Sequence, residues 1–364
     1  MAEPVIGKGR IAADLRQLGL REGDIVLVHS SLSSVGRVEG GAEAVIEALL
    51  EVVGPSGTLM MPSFHWVQPY DPNLPSKMGV ISERFRNWPG VVRGFHPSHP
   101  ANAIGPKAEV LLKDHLKSPT ACGRETPFGR LIEMGGRILM LGVENDRNTA
   151  MHTIEQYVAA AYLTERDATY LDEAGTVRTV HLILNPGPHR NFIGIDPMLR
   201  KSGAEVMGKV GRALARLMDA KKMHDVMLEG FRDDPALVLC GNPNCAACVM
   251  QRRKIRLARL REESFTLSAL ASAVSPYPDE IAEELNRAGV NDVVLDRLSG
   301  EPVWAVPEAR LRRAAQTLAG EGISIGAICA RPDAARRHEG LTIATQRCRE
   351  DELYIDTADG CVRR

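Results

Sequence analysis

The chain has 364 residues, 44% hydrophobic and 25% charged, which are ordinary proportions for a globular protein. Lys and Arg total 45 against 46 Asp and Glu, and the formal charge of -1 argues against a nucleic-acid binder that works by bulk positive charge. No apolar run approaches the roughly 20 residues that cross a bilayer, and residues 1–10 lack an apolar signal core. Seven cysteines, an odd number in a large chain, favour a reducing compartment. We therefore expect a cytoplasmic protein whose partner is neither a membrane nor a nucleic acid.

The pattern of apolar residues predicts alternating helices and strands. Helical spacing predicts a helix over 10–18 that ends near Gly19, and apolar runs predict strands over 24–30 and 57–62 around a helix over 44–53. Farther along, 135–143 and 176–184 are predicted as strands, and 149–163 and 206–227 as mostly helical. This order of elements is that of an α/β domain.

Residues 64–105 interrupt this pattern. Prolines, with Asn, Gly, Trp and His between them, break up any periodic apolar run there. A long ordered loop in a compact protein usually has a functional role, so we expect this segment to contribute to a site.

The chain divides into a larger N-terminal and a smaller C-terminal part. We place the first domain at 1–262, including a Cys-rich turn and a basic helical stretch at 237–262, and a small α/β segment at 263–364. The basic stretch is interpreted as an exposed amphipathic helix, with RNA binding as the alternative. In the tail, 290–296, 322–329 and 353–356 are strand candidates, too few to close an eight-stranded barrel.

A Ser-rich loop follows the first predicted strand. His29, Ser30 and Ser31 stand where that strand ends, with Ser34 and Gly36 behind them. Ligands of α/β sheets bind at the carboxyl ends of strands, where hydroxyls and free backbone N–H groups suit a phosphate or an amide. The alternative is a Ser-rich turn that caps the next helix.

A His–Glu pair lies at the start of the helix predicted over 149–163. His152 and Glu155 are three residues apart and share one face, and Thr149 lies one turn earlier on the same side. An imidazole near a helix N-terminus resists protonation, which suits a general base at neutral pH. The carboxylate could orient the ring or hold a cationic substrate. An ordinary surface His–Glu pair is the alternative.

Two further histidines occur in the proline-rich loop. His96 and His99 alternate with Pro97 and Pro100, and neither has a partner at a strong metal-binding spacing. They are interpreted either as ligands or as parts of a packed loop.

Three cysteines lie close together near the end of the first domain. Cys240, Cys245 and Cys248 suit a structural zinc ion, for which His224 is the first candidate as fourth ligand. The spacing also matches three positions of a plant-type iron–sulfur site, and thiols without a metal are the remaining alternative. Cys122 has no adjacent base in the sequence, so it is a weak candidate for a nucleophile.

A series of short motifs, taken in order, resembles the aminoglycoside 3-N-acetyltransferase family over residues 8–230. The matching segments, in sequence order, are Leu18-Gly-Leu-Arg-Glu-Gly-Asp24, Val28-His-Ser-Ser-Leu32, Gly40-Gly41, Gly57-Thr-Leu-Met-Met-Pro62, Tyr70-Asp-Pro72, Met78-Gly79, Arg93 with His96-Pro97, Pro127-Phe128-Gly129, Leu141-Gly-Val143, Asn148-Thr149-x-x-His152-x-x-Glu155 and Gly208-Lys-Val-Gly211. The tail resembles the opening of a sugar-phosphate isomerase-type barrel.

The resemblance implies a three-layer α/β/α acetyltransferase fold with acetyl-coenzyme A as donor. It identifies His152 as the reactive histidine and Glu155 as its nearby carboxylate. It implies a small-molecule substrate, usually the 3-amino group of a 2-deoxystreptamine antibiotic, which makes the chain a resistance enzyme. The implied coenzyme-binding residues are His29, Ser30, Ser31, Ser34, Gly36, His96 and Pro97, and the implied substrate-binding residues are Tyr70, Asp71, Asn148 and Thr149.

Two segments depart from the family pattern. Pro100 stands where relatives often have a serine, and residues 187–192 do not align. The second departure leaves room for a different acceptor, so the alternatives are an acetyltransferase for another amine metabolite and an inactive zinc-stabilised binding protein. The oligomeric state and the choice between direct transfer and an acyl-enzyme stay open.

Overall fold

A computed structural model describes residues 4–185 and 190–263, together with six short strands between residues 292 and 363. The chain divides into two units, Met1–Asn242 and Pro243–Arg364. The boundary between these units, after residue 242, lies 20 residues before the domain boundary predicted from the sequence, after residue 262. The domain assignment by function, 1–262 and 263–364, stays a prediction.

A mixed seven-stranded sheet forms the centre of the first unit. Its strands are β1 (Ile25–Ser30), β2 (Thr58–Pro62), β3 (Val92–Arg93), β4 (Ala101–Ile104), β5 (Arg137–Leu141), β8 (Glu205–Val210) and β9 (Ala213–Asp219). The strands β6 (Thr164–Leu171) and β7 (Val177–Leu184) form a separate hairpin. The strand order in the seven-stranded sheet is β3-β4-β2-β1-β5-β9-β8. β1 runs parallel to both β2 and β5, and the outer pairs are antiparallel. The carboxyl ends of the three central strands therefore meet at one edge.

Helices cover both faces of this sheet. The helices of the first unit are α1 (Lys8–Leu18), α2 (Leu32–Val35), α3 (Gly41–Val53), α4 (Val80–Arg86), α5 (Ala108–Leu112), α6 (Pro127–Glu133), α7 (His152–Tyr157), α8 (Asp196–Lys201) and α9 (Ala220–Asp233). Leu15 of α1, Val45 of α3 and Phe85 of α4 join alternate strand residues in one buried cluster. α5, α6 and α9 contact β2, β1 and β9 from the other face. The prediction of a three-layer α/β/α fold is confirmed.

The prediction that 206–227 are mostly helical is wrong. These residues form β8, a turn, β9 and the start of α9. Leu214, Leu217 and Met218 fit helical spacing, but periodicity alone does not distinguish a short apolar strand from a short apolar helix. The turn uses Gly211, whose φ is 58°. A Cβ there would lie 2.7 Å from the carbonyl oxygen of Val35, so only glycine fits without strain.

Two other segments are organised differently from the predictions. The irregular segment 64–105 contains α4 and the strands β3 and β4, which extend the sheet beyond β2. The helix predicted over 149–163 is shorter: a 3₁₀ turn (Thr149–Met151) leads into α7, which ends at Tyr157, and Ala159 has a φ of 47°. The strand predicted over 176–184 is confirmed as β7, paired with β6 in a separate hairpin.

The second unit is described only in part. Its helix α10 (Ala246–Glu263) confirms the helix predicted for the basic stretch. Three strand predictions in the tail are confirmed by β10, β11 and β14. The resemblance of the tail to the opening of a barrel depends also on residues outside those described. The strands are β10 (Asp292–Leu295), β11 (Ser324–Ile328), β12 (Arg336–His338), β13 (Leu341–Ile343), β14 (Tyr354–Thr357) and β15 (Gly360–Arg363). Among the described residues, none of the helices has the length and apolar character that crossing a membrane requires.

Candidate active site

A cavity of about 290 Å³ opens at the carboxyl ends of β1, β2 and β5. Ligands of parallel sheets bind at this edge, since the strand ends and the following loops leave polar groups exposed there. The described lining residues are His29, Ser30, Pro62, Phe64, Trp66, Lys77, Met78, Ser82, His99, Val143, Asp146, Arg147, Asn148, Thr149 and His152.

The His152–Glu155 pair lies beside this cavity. Nδ1 of His152 is 2.5 Å from Oε2 of Glu155, as their spacing at the start of α7 predicts. The His152 side chain is 23% exposed and lines the cavity, whereas that of Glu155 is 0% exposed. A base that reaches the cavity is thus backed by a carboxylate that water does not reach.

Four hydrogen bonds surround the Glu155 carboxylate. Besides His152, Oε2 accepts from Nδ2 of Asn185 at 2.7 Å. Oε1 accepts from the Tyr162 hydroxyl at 2.9 Å and from Nε of Arg190 at 2.5 Å. Burial alone raises the pKa of Glu155, but His152 and Arg190 outweigh it and lower the pKa overall. An ionised carboxylate accepts the proton of Nδ1, which leaves the lone pair of His152 on Nε2.

Buried polar groups fix the loop that precedes His152. Asn148 caps the 3₁₀ turn, its Oδ1 accepting from the Ala150 backbone N–H at 3.2 Å, and its Nδ2 donates to Asn145. Asn145 in turn donates to Asp196 at 2.8 Å and to Glu205 at 3.1 Å. Burial, then the neighbouring Asp196 carboxylate, raises the pKa of Glu205. This network connects α8 and β8 to the cavity wall.

The residues predicted to hold the coenzyme separate into two groups. His29 and Ser30 line the cavity, and the Ser30 Oγ is buried with no hydrogen-bond partner among the described residues. Burial lowers the pKa of His29 to about 3, so its ring is neutral. Ser31 and Ser34 are not among the described lining residues, and the Ser34 hydroxyl donates to the Ser31 hydroxyl at 2.9 Å. Gly36 ends α2 with a φ of 108° and turns the chain.

The predicted pair His96 and Pro97 lies behind the cavity wall rather than on it. His96 is 0% exposed and stacks on His115 with ring centroids 4.3 Å apart. Its Nδ1 accepts from the backbone N–H groups of Ser98 and His99, each at 3.2 Å. Burial lowers the pKa of His96 well below its usual value. His96 therefore orders the loop that presents His99, which the sequence left unassigned and which does line the cavity.

The residues predicted to bind substrate are also divided. Asn148 and Thr149 line the cavity. Tyr70 is 2% exposed and stacks on His65, and burial raises its pKa to about 12. The Asp71 carbonyl accepts from Nε2 of His65 at 2.8 Å. Neither Tyr70 nor Asp71 is among the described lining residues.

Sequence analysis missed several residues of the site. Trp66, 72% exposed at the cavity, gave no periodic signal in the proline-rich segment. Asn185, Arg190 and Tyr162 contact Glu155 from positions 7 to 35 residues away, which no local pattern reveals. For Trp66, the one signal in the sequence was the irregular character of residues 64–105.

The thiols occupy two different settings. Cys122 is fully buried, and burial raises the pKa of its thiol, so it does not supply a thiolate at neutral pH. Ligand atoms of Cys240, Cys245 and Cys248 lie within 4.8 Å of one another. His224, the predicted fourth ligand, is not in that group: its ring contacts Tyr157 at 4.9 Å and its Nδ1 lies 3.4 Å from Asp225.

Comparison with known proteins gives one consistent result. A family model described as aminoglycoside 3-N-acetyltransferase matches residues 27–232. The chain is 35% identical over 237 residues to aminoglycoside N(3)-acetyltransferase IV of Salmonella sp, covering 64% of this chain and 90% of that protein. It is 34% identical over 251 residues to the prophage-derived aminoglycoside N(3')-acetyltransferase-like protein YokD of Bacillus subtilis, covering 62% and 92% respectively.

Solved structures give the same result. A crystal structure of the aminoglycoside acetyltransferase AAC(3)-IVa, a histidine-to-alanine mutant in complex with gentamicin, matches with a TM-score of 0.65 at 32% identity. That match covers 70% of this chain and 100% of the other. The AAC-IIIb binary complex with coenzyme A matches with a TM-score of 0.57 at 26% identity, covering 63% and 97%.

Proposed function

The chain belongs to the aminoglycoside 3-N-acetyltransferase family, and from this we propose that it acetylates the 3-amino group of a 2-deoxystreptamine antibiotic. It is an acetyltransferase with acetyl-coenzyme A as its co-substrate. The observation that carries the proposal is the His152–Glu155 pair at the cavity, a base held by a buried carboxylate. Acetyl-coenzyme A as donor supports a cytoplasmic location.

His152 acts on the proton of the acceptor. An aliphatic amine is mostly protonated at neutral pH and has no lone pair to attack with. The ammonium first releases one proton to solvent, which frees the lone pair. Nε2 of His152 then takes a second proton as the nitrogen bonds to the thioester carbonyl carbon and the carbon–sulfur bond breaks. The proton then passes from His152 to the departing sulfur. Glu155 stays ionised throughout and stabilises the imidazolium, since its depressed pKa keeps it charged at neutral pH.

The Ser-rich loop is proposed to hold the coenzyme. Ser30 has a hydroxyl at the cavity that none of the described residues satisfies, which supports a direct contact with the amides or carbonyl of the donor. Ser31, Ser34 and Gly36 then shape the loop. Lys77 and Arg147 add cationic groups for the phosphates. His29, His96 and Pro97 are proposed to hold the coenzyme-binding side of the site in place through buried contacts.

The acceptor is proposed to lie against Asn148 and Thr149. Both line the cavity beside His152, and the network through Asn145 orders them. Tyr70 and Asp71 are proposed to contribute indirectly, by ordering the proline-rich loop that borders the cavity. The complex of AAC(3)-IVa with gentamicin supports an aminoglycoside as the acceptor class.

A less cationic amine is the second candidate acceptor. Among the described lining residues, Asp146 is the one acidic side chain, against the cations Lys77 and Arg147. Asp146 also pairs with Arg147 at 3.2 Å. Polycationic ligands favour acidic sites, so this balance favours an acceptor with few charges.

Release of coenzyme A over a panel of amines tests the proposal. The panel contains several 2-deoxystreptamine aminoglycosides, each with its 3-amino group blocked as a matched control, and simple monoamines. Turnover that requires the free 3-amino group, with an NMR spectrum placing the acetyl group there, supports the first acceptor. Turnover only with monoamines supports the second, and no coenzyme A release with any amine contradicts both.

Zinc is proposed for the Cys240, Cys245 and Cys248 turn. Three thiols that close together suit a soft tetrahedral ion, with the fourth ligand unassigned among the described residues. We expect elemental analysis of the purified chain to give about one zinc per chain. Chelation should lower Tm while coenzyme A binding persists. Metal-free protein with three thiols that react freely in this turn contradicts the proposal.

A further inference from the structure

Arg190 lies in the segment 187–192 that does not follow the family pattern, and it contacts the site through Glu155. Its side chain is 5% exposed, and its Nε lies 2.5 Å from Oε1 of Glu155. The guanidinium also sits over the Tyr162 ring, 5.2 Å from its centre. The Tyr162 hydroxyl donates to the same carboxylate oxygen at 2.9 Å. A buried cation is thus placed on the far side of the carboxylate that serves the base.

The two oxygens of Glu155 have separate partners. Oε2 accepts from His152 and Asn185, and Oε1 accepts from Tyr162 and Arg190. Rotation of the carboxylate about its terminal bond would break bonds at both oxygens. The orientation of the His152 ring therefore depends on groups that it does not itself touch.

We propose that Arg190 is a positioning residue for acetyl transfer, which fixes Glu155 and limits the attraction of that carboxylate for the proton on His152. The inference rests on the proposed function, in which His152 must release the proton once it has taken it. A buried carboxylate without a counter-charge would hold an imidazolium too tightly for turnover at neutral pH. Arg190 shares the negative charge of Glu155, which weakens the attraction of that carboxylate for a proton on His152.

Other charged and titratable groups surround the pair. His99 packs against His152 with ring centroids 6.4 Å apart, and burial lowers its pKa to about 3, so it is neutral. The buried Cys122 thiol faces Glu155, and burial raises its pKa, so it is neutral as well. Asp146 and Arg147 line the cavity as a pair. Among these described groups, Arg190 is the buried cation in contact with Glu155.

Arg190→Met, Arg190→Lys and Tyr162→Phe test the proposal through the pH profile of kcat/KM. Losing the cation in Arg190→Met should move the acid limb about one pH unit higher, because a nearby charge shifts titration by that order. Arg190→Lys should restore most of the profile. Tyr162→Phe should lower kcat without moving the limb, since it removes a hydrogen bond but no charge. Arg130→Met, which removes a half-buried cation bonded to the Leu111 carbonyl, is the matched control and should leave the limb in place.

The ring titration of His152, followed by NMR on the full chain, separates this inference from the proposed function. If the wild-type chain releases no coenzyme A with any amine, the function is wrong, yet the titration still reports on Arg190. A midpoint about one pH unit higher in Arg190→Met, or in Arg190→Gln if the first variant does not fold, supports the inference. A midpoint and an acid limb unchanged in the folded variants overturn it.

Discussion

Nδ1 of His152 lies 2.5 Å from Oε2 of Glu155, within the first turn of α7. The contact joins a partly exposed ring to a carboxylate that is shut off from water. A short hydrogen bond from Nδ1–H to an ionised carboxylate fixes both the tautomer and the plane of the ring. The pair can therefore accept a proton at Nε2 without rearranging.

Glu155→Gln should move the acid limb of kcat/KM to lower pH and reduce kcat by about 10–10²-fold. The pKa of Glu155 is depressed in the folded chain, so its carboxylate is charged at neutral pH and favours the imidazolium. The neutral amide cannot do so, and the ring then takes up a proton only at lower pH. Steady-state rates over a pH series measure this. Glu144→Gln, an exposed acid outside the pair, is the control, and an unmoved limb in Glu155→Gln would show that the carboxylate does not act on His152.

The ionised Glu155 carboxylate also makes the stability of the folded chain depend on pH. A carboxyl group with a depressed folded pKa stabilises the chain above its unfolded value, and that contribution is lost as pH falls through the folded value. Glu155→Gln should therefore lower the free energy of unfolding at neutral pH more than under acid conditions. Denaturant unfolding at two pH values checks the difference.

Ser30→Ala should weaken coenzyme A binding about fivefold, whereas Ser31→Ala should change it less than about twofold. Ser30 lines the cavity, its buried Oγ has no hydrogen-bond partner among the described residues, and a hydrogen bond to a ligand contributes about 1 kcal/mol. The Ser31 hydroxyl is already bonded to Ser33 and Ser34. Titration calorimetry with coenzyme A compares the two variants. Equal dissociation constants for both variants and the wild type would assign the whole loop a structural role.

A chain that ends at Glu262 should keep acetyl transfer. All described lining residues precede residue 153, and the groups that contact Glu155 precede residue 191. The family model likewise ends at 232. Coenzyme A release by the shortened and full chains, compared at equal concentration, checks this expectation. Loss of activity in a shortened chain that keeps its circular dichroism spectrum would show that the tail completes the acceptor site or an active oligomer.

The three central strands of the sheet and the His–Glu pair could be predicted from the sequence because local pattern encodes them. Apolar runs bounded by glycine or proline on at least one side predicted β1, β2, α1 and α3, and a three-residue spacing placed His152 and Glu155 on one face. The hairpin of β8 and β9 was mistaken for a helix, since the apolar residues Leu214, Leu217 and Met218 of β9 also fit helical spacing. Chain order of motifs supplied the family.

The surroundings of the pair could not be predicted in this way. Arg190, Asn185 and Tyr162 reach Glu155 only because the β6–β7 hairpin and the segment after it fold back toward α7. Ser30 and Ser31 are adjacent and chemically identical, yet Ser30 lines the cavity whereas the Ser31 hydroxyl bonds to Ser34. The family resemblance assigns His96 to the coenzyme site, and the structure adds that this ring is buried and stacks on His115. Such contacts depend on tertiary packing, which neither spacing nor motif order contains.

His152→Ala tests the account most directly. Replacing the base should lower kcat by about 10²–10⁴-fold, the usual range for loss of a general base. Coenzyme A should bind with an unchanged dissociation constant, because the ring acts on the proton of the amine and not on the donor. Single-turnover acetyl transfer, measured beside calorimetry on the same preparation, gives both quantities. A folded His152→Ala chain that acetylates its amine at the wild-type rate would contradict the assignment of His152 as the base.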